Sequence, residues 1–228
     1  EGGAVALAER PRGWEVVVRY LPTLLGAAAM TVLLAVVSFP LAVGMGIGIA
    51  LGRLYGPRWV GAPLGAWVEV VRGTPLMLQL YFLFFVLPEV GVEIPALATA
   101  VAGLAINYSA YEAEIYRAGL QAVPAGQMEA ALSLGMSRWQ AIRWVVLPQG
   151  ARTVIPPVVN DFIALFKDTS VCSVITLVEL TKQYSILSKS TLAIVELMAL
   201  TALLYLLMSY PLAVLSRRVE RRLDGERA

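Results

Sequence analysis

The chain has 228 residues, is 58% apolar and has a mean hydropathy of +0.72, above the roughly 45–50% apolar usage of soluble domains. It reads as an all-α integral membrane protein with one membrane domain and about five crossings. With no histidine and the lone Cys172, it excludes a His-based triad, a His metal site, an intrachain disulfide and a cysteine zinc cluster; the +2 net charge matters less than where the charges lie.

Residues 1–20 are expected as a polar extracytoplasmic segment, with Trp14 and Tyr20 suited to an interface. Residues 21–216 are expected as the membrane domain. The first span is predicted over residues 22–51, where Gly44, Gly48 and Gly52 recur on one face and suit close helix packing. Residues 59–88 are apolar but would reach about 45 Å as one helix, longer than a hydrocarbon core of about 30 Å. Glu69 and Arg72 are costly there unless paired, and Gly73-Thr74-Pro75 supplies a break. A shallow helix to Arg72 and a short span over 74–87 are therefore predicted. A third span follows over 95–116.

Residues 123–148 are a polar insertion between apolar segments. Gly135 can take the left-handed conformation that ends a helix. Ser137 with Gln140 predicts a capping box for a second helix, which Pro148 should stop. The adjacent Ala130 and Ala131 would let a partner's surface approach. A fourth span begins near Val154 and should be interrupted at Lys167-Asp168-Thr169-Ser170. The fifth covers 191–215, and residues 217–228 form a tail.

Arginine sets the orientation. Arg53 and Arg58 follow the first span, Arg117, Arg138, Arg143 and Arg152 surround the insertion, and Arg217, Arg218, Arg221 and Arg222 follow the last. Positive residues stay on the cytoplasmic side, which places the N-terminus outside and both the insertion and the C-terminus inside.

The order Glu129, Ala130, Ala131, Gly135, Val145, Leu147, Pro148 resembles the cytoplasmic coupling loop of bacterial ABC importer permeases, with Val145 where the family usually has isoleucine. Glu69 to Pro75 with Gln79, Tyr111 to Arg117, Val123 to Gln127, Leu147-Pro148-Gln149, Pro156-Pro157, Asn160, and Lys167 to Ser170 are similar to signatures of the polar amino-acid uptake permeases, the histidine, arginine, glutamine and glutamate type. The match runs from about Leu21 to Arg218 and departs at Ala118, where a second glycine is common. The resemblance implies a type I importer permease in the bacterial inner membrane. It implies a second permease chain, identical or related, two cytoplasmic ABC ATPase subunits, and an extracytoplasmic amino-acid-binding protein. The chain has no Gly-rich phosphate loop followed by Lys and Ser/Thr, so ATP-Mg is expected on the ATPase partners and no cofactor on this chain. No catalytic residue, metal site or nucleic-acid partner is expected. Membrane lipid is.

Polar groups inside spans are the candidate substrate contacts. Asn107, Tyr108 and Tyr111 can hydrogen-bond an amino acid or bridge helices. Glu112 and Glu114 with Arg117, and Glu69 with Arg72, suit structural ion pairs. Asn160 and Asp161 follow two prolines, and Asp161 has no evident local partner, so it is expected to favour a basic amino acid. Lys167 and Asp168 are adjacent and cannot face each other on a regular helix; they mark either a broken helix beside the path or a kink paired with other helices. The alternatives are an importer of another small solute such as methionine and, more remotely, an ion-coupled secondary transporter. The latter would need no coupling loop.

Overall fold

The computed structural model describes residues 13–225, and every regular element among them is helical. Helix α1 spans Trp14–Tyr55, α2 Arg58–Gly73 and α3 Leu76–Tyr81, which continues through a π turn, Phe82–Val86, and a 3-10 turn, Leu87–Val90. Helix α4 is Ala96–Gln121, α5 Ala125–Ser133 and α6 Arg138–Ala141, which runs through a second π turn, Ile142–Val146, into α7, Leu147–Asp168. A 3-10 segment, Thr169–Ile175, leads to α8, Leu180–Thr191, and α9, Ile194–Gly225.

Among the described residues, α1 and α9 are each long and apolar enough to cross a membrane, and α2 with the α3 segment makes a third candidate bent by 104°. The expected break at Gly73-Thr74-Pro75 is that bend. Helices α4 and α7 have 26 and 22 residues. They are long enough to cross but too polar to qualify by composition alone, so the structure supports up to three of the five expected crossings by that measure. Their polar residues are tolerated because α4 packs along the length of α1 and α7 packs against α4.

The first helix begins eight residues before its expected start and carries Pro22 and Pro40 without ending. Residues 1–12 of the expected N-terminal segment lie outside the described residues. The last helix likewise runs through the expected tail to Gly225, and residues 226–228 lie outside the description.

The main core lies where α1, α3, α4 and α7 meet, around Leu34, Leu80, Leu104, Leu165 and Phe166. A second joins α1, α8 and α9 through Leu24, Leu180, Leu187 and Leu197. Helix α8 starts because Glu179 caps it, accepting from the N–H groups of Thr181 at 2.8 Å and Lys182 at 2.7 Å. The outward faces of α1 and α9 stay apolar and exposed, with Leu33, Val36, Leu41, Leu203, Leu206 and Leu207 among them, as a lipid-facing surface requires.

The glycine expectation needs correcting. Gly44 and Gly48 face open space, and of the expected three only Gly52 packs, against Leu64 and Val60 of α2. The close approach of α1 to α4 is made by Gly46, where an added Cβ would sit 2.6 Å from Glu112 Cβ and 3.1 Å from the Ser109 carbonyl oxygen. Regular four-residue spacing selects a helix face without saying which face meets protein.

Candidate functional site

The 104° elbow between α2 and α3 opens a cavity of about 520 Å³ against α4 and α7. Arg72, Gly73, Thr74, Pro75 and Leu76 form the elbow wall, Asn107, Tyr108 and Tyr111 the α4 wall, and Asp161, Ala164 and Asp168 the α7 wall. Helix geometry brings these sets together. Residues 107, 108 and 111 share one stripe of α4, while 161, 164 and 168 fall at three- and four-residue steps along one face of α7.

The cavity pairs one cation with two carboxylates. Arg72 holds its guanidinium 5.4 Å from the centre of the Tyr111 ring, a geometry that favours a cation over an aromatic face. The Tyr108 hydroxyl donates to Asp168 at 2.8 Å. Asp161 differs: its Oδ2 is buried and has no hydrogen-bond partner among the described residues. A polar ligand with a carboxylate at one end and a cationic group at the other would complement this wall.

Of the seven sequence-predicted contacts, Asn107, Tyr108, Tyr111, Asp161 and Asp168 come together here. Asn160 does not. It points to the end of α9, donating to Glu220 at 3.2 Å and accepting from Ser216 at 3.1 Å. Lys167 is exposed and lies outside the cavity. The expected interruption is present, since α7 ends at Asp168 and a 3-10 segment follows. Sequence reasoning missed the elbow wall as a site. The signal was an apolar run too long for one crossing, broken beside an arginine.

The expected ion pairs are half met. Arg117 binds Glu114 at 2.7 Å, and Arg53 at the end of α1 pairs with the other oxygen of the same carboxylate. Glu112 is fully buried against Gly46 instead, and among the described residues it forms no ion pair. Glu69 is exposed, and Arg72 turns to Tyr111 rather than to it.

The polar insertion is a second candidate site. Helix α5 ends as expected: Gly135 has φ +83, its N–H bonds the Leu132 carbonyl at 3.0 Å, and the Met136 N–H bonds the Ala131 carbonyl at 3.2 Å. These two bonds make a Schellman cap. The capping box is complete, with Ser137 N donating to Gln140 Oε1 at 2.8 Å and Gln140 N to Ser137 Oγ at 3.3 Å. Glu129, Ala130 and Gly135 are exposed, as are Leu134, Trp139, Trp144, Leu147 and Pro148. Ala131 is buried, so of the two alanines only Ala130 is open to a partner. Pro148 does not stop the second helix. The π turn, in which Leu147 N bonds the Ile142 carbonyl, carries the helix on into α7 with Val146 and Leu147 still helical, and Pro148 lies just beyond it.

Residues 42–225, which include the cavity and the whole insertion, match the model of the family described as binding-protein-dependent transport system inner membrane component. The chain belongs to that family. It is 38% identical over 200 residues to a probable amino-acid ABC transporter permease protein, y4tG, of Sinorhizobium fredii (strain NBRC 101917 / NGR234), covering 88% of this chain and 87% of the relative. It is 36% identical over 215 residues to the glutamine transport system permease protein GlnP of Escherichia coli (strain K12), covering 92% and 97%. In structure it superposes with a TM-score of 0.88 on a chain of a crystal structure of an amino acid ABC transporter with histidines, at 37% identity, over 93% of this chain and 99% of that one. The fold of this inner membrane component is therefore that of an ABC transporter permease.

Proposed function

We propose that this chain is the membrane-spanning permease subunit of an ATP-driven importer of a polar amino acid, with preference for a basic one. The observation that carries the reading is the cavity, in which Arg72 stands opposite Asp161 and Asp168. Arg72 suits the substrate carboxylate, since a guanidinium recognises a carboxylate through two parallel donors. Asp161 suits a cationic group, because a buried carboxylate oxygen without a partner gains most from a charged donor. The volume fits a ligand of amino-acid size.

The exposed insertion supports the second half of the reading. It presents Glu129, Ala130, Gly135, Leu147 and Pro148 on a short two-helix unit fixed at its turn by two caps, with Ala131 packed inside. A rigid unit of this kind transmits force from a partner's groove. The partners in this reading are two cytoplasmic ABC ATPase subunits that bind ATP-Mg, a second permease chain, and an extracytoplasmic amino-acid-binding protein. The insertion and the C-terminus then lie in the cytoplasm and the N-terminus outside. This chain carries out no hydrolysis itself.

The test is uptake by the assembled importer carrying Asp161→Asn. Arginine and lysine transport should fall at least tenfold relative to glutamine. An unchanged ratio overturns the assignment of Asp161 and the preference for basic substrates.

A further inference from the structure

The elbow wall is held in shape by a side chain that does not line the cavity. Helix α2 stops at Gly73 and α3 starts at Leu76, so the last carbonyls of α2 lose their helical partners. Pro75 has no N–H to offer them. Two side chains fill the gap. Thr74 Oγ1 donates to the Val70 carbonyl at 2.9 Å. Gln79 Nε2 donates to the Val71 carbonyl at 2.8 Å, and it also reaches Thr74 O at 3.1 Å and Thr74 Oγ1 at 2.9 Å.

The orientation of that amide follows from its partners. Carbonyl oxygens only accept, so the Gln79 atom facing them is the NH2 group and Oε1 faces away. There Oε1 accepts from Asn107 Nδ2 at 3.2 Å. Asn107 is nearly fully buried and lines the cavity; Gln79 does neither. One glutamine thus joins the broken end of α2, the turn at Thr74 and the α4 wall of the cavity.

We propose that Gln79 is a positioning residue for substrate recognition. Its amide sets residues 72–76 against Asn107, so that the Arg72 side of the cavity and the α4 side are presented together. Gln79 touches no substrate and acts through the elbow and Asn107. The inference rests on the cavity being the substrate site. A clamp that merely stabilised the helix break would lower the melting temperature and leave the affinity of the folded protein alone. A positioning residue changes affinity in protein that is still folded.

The experiment uses the full complex, permease with ATPase and binding protein, in lipid. Tritiated arginine and glutamine are the probes: their half-saturating concentration for equilibrium binding is read on the permease–ATPase complex before the binding protein is added, and basal ATPase rate, melting temperature and uptake are read beside it. Gln79→Glu keeps the shape and the acceptor for Asn107 but removes the NH2 donor; Gln79→Leu removes both. Each should raise the half-saturating concentration at least tenfold with basal ATPase within twofold of the parent. Thr74→Val, which loses one acceptor and its own bond to Val70, should raise it about threefold. In the double variant with Asn107→Ala, the combined effect should fall well short of the product of the two, as expected for groups acting through one contact.

If Gln79→Leu does not fold, Gln79→Glu decides. Affinities within twofold of the parent in folded Gln79 variants overturn the proposal, as does a fully multiplicative double variant. Asp161→Asn and Arg72→Gln separate the two readings. If they weaken uptake and the Gln79 variants do not, the positioning role alone falls. If none of them changes affinity, the cavity assignment falls with it.

Discussion

Tyr108 on α4 donates its hydroxyl to Asp168, the last residue of α7, at 2.8 Å across 60 residues of chain. This bond gives Asp168 a partner that Asp161 lacks. Asp168 is held at the point where α7 gives way to the 3-10 segment, while Asp161, two turns earlier, keeps an unpartnered buried oxygen. Tyr108→Phe should therefore destabilise the protein by about 1–3 kcal/mol, the usual cost of leaving one partner of a buried hydrogen bond unsatisfied. Denaturation of the purified protein in detergent measures this. Asp168→Asn, which keeps an acceptor for the hydroxyl, should cost less than Tyr108→Phe, and an equal or larger cost would contradict the assignment.

Glu114 bridges Arg53 from α1 and Arg117 from its own helix, and Arg117 also reaches Gln121 at 2.6 Å. The Arg53 and Glu114 side chains are 17% and 18% exposed, so neither is fully solvated. Removing one partner leaves a partly desolvated charge, and coupling in such networks runs to about 0.5–3 kcal/mol. A double-mutant cycle on Arg53→Gln and Glu114→Gln should show coupling in this range, larger than the cycle on Arg117 and Glu114, which are neighbours on one helix and more exposed. Equal coupling energies would remove the special role of the α1–α4 link.

The glycines of α1 give a clean internal contrast. Gly46→Ala must place a methyl group against Glu112 Cβ and the α4 backbone, whereas Gly44→Ala and Gly48→Ala point into open space. The first should cost about 1–3 kcal/mol through overpacking. The other two should be neutral, or stabilise by up to about 1 kcal/mol through higher helix propensity. Thermal stability of the three single variants checks the order.

Much of this was legible in the sequence, for identifiable reasons. The elbow could be read because 59–88 is too long for one crossing and carries a glycine, a threonine and a proline together. The turn at Gly135 and the capping box at Ser137 are local, so their residues suffice to specify them. Long-range partners were not legible. Arg53 was a marker of orientation until the fold set it beside Glu114, and Asn160 sits one position from Asp161 yet a helix rotation of about 100° turns it to α9. The fate of Pro148 was hidden for another reason: a π turn carries the helix on to the proline, and the residues of that turn, Ile142–Val146, are of types equally at home in an α-helix.

The insertion should tolerate changes according to which cap they touch. Ser137→Ala removes the Oγ acceptor of the capping box and should cost about 1 kcal/mol. Gly135→Val places a β-branched residue at φ +83 and should cost more, while Gly135→Asn, which tolerates the left-handed region, should be milder. Denaturant midpoints of the three variants test that order.

Coupling between the insertion and a separate ATPase is the central element of the proposed function. The measurement is ATPase activity of the complex in lipid, with and without the amino-acid-loaded binding protein, for the parent, Glu129→Ala and Gly135→Val. Stimulation in the parent should be lost at least tenfold in both variants, with the exposed Glu129 variant melting at the parent temperature. Full stimulation in both variants would contradict the claim that this insertion is where the ATPase engages the permease.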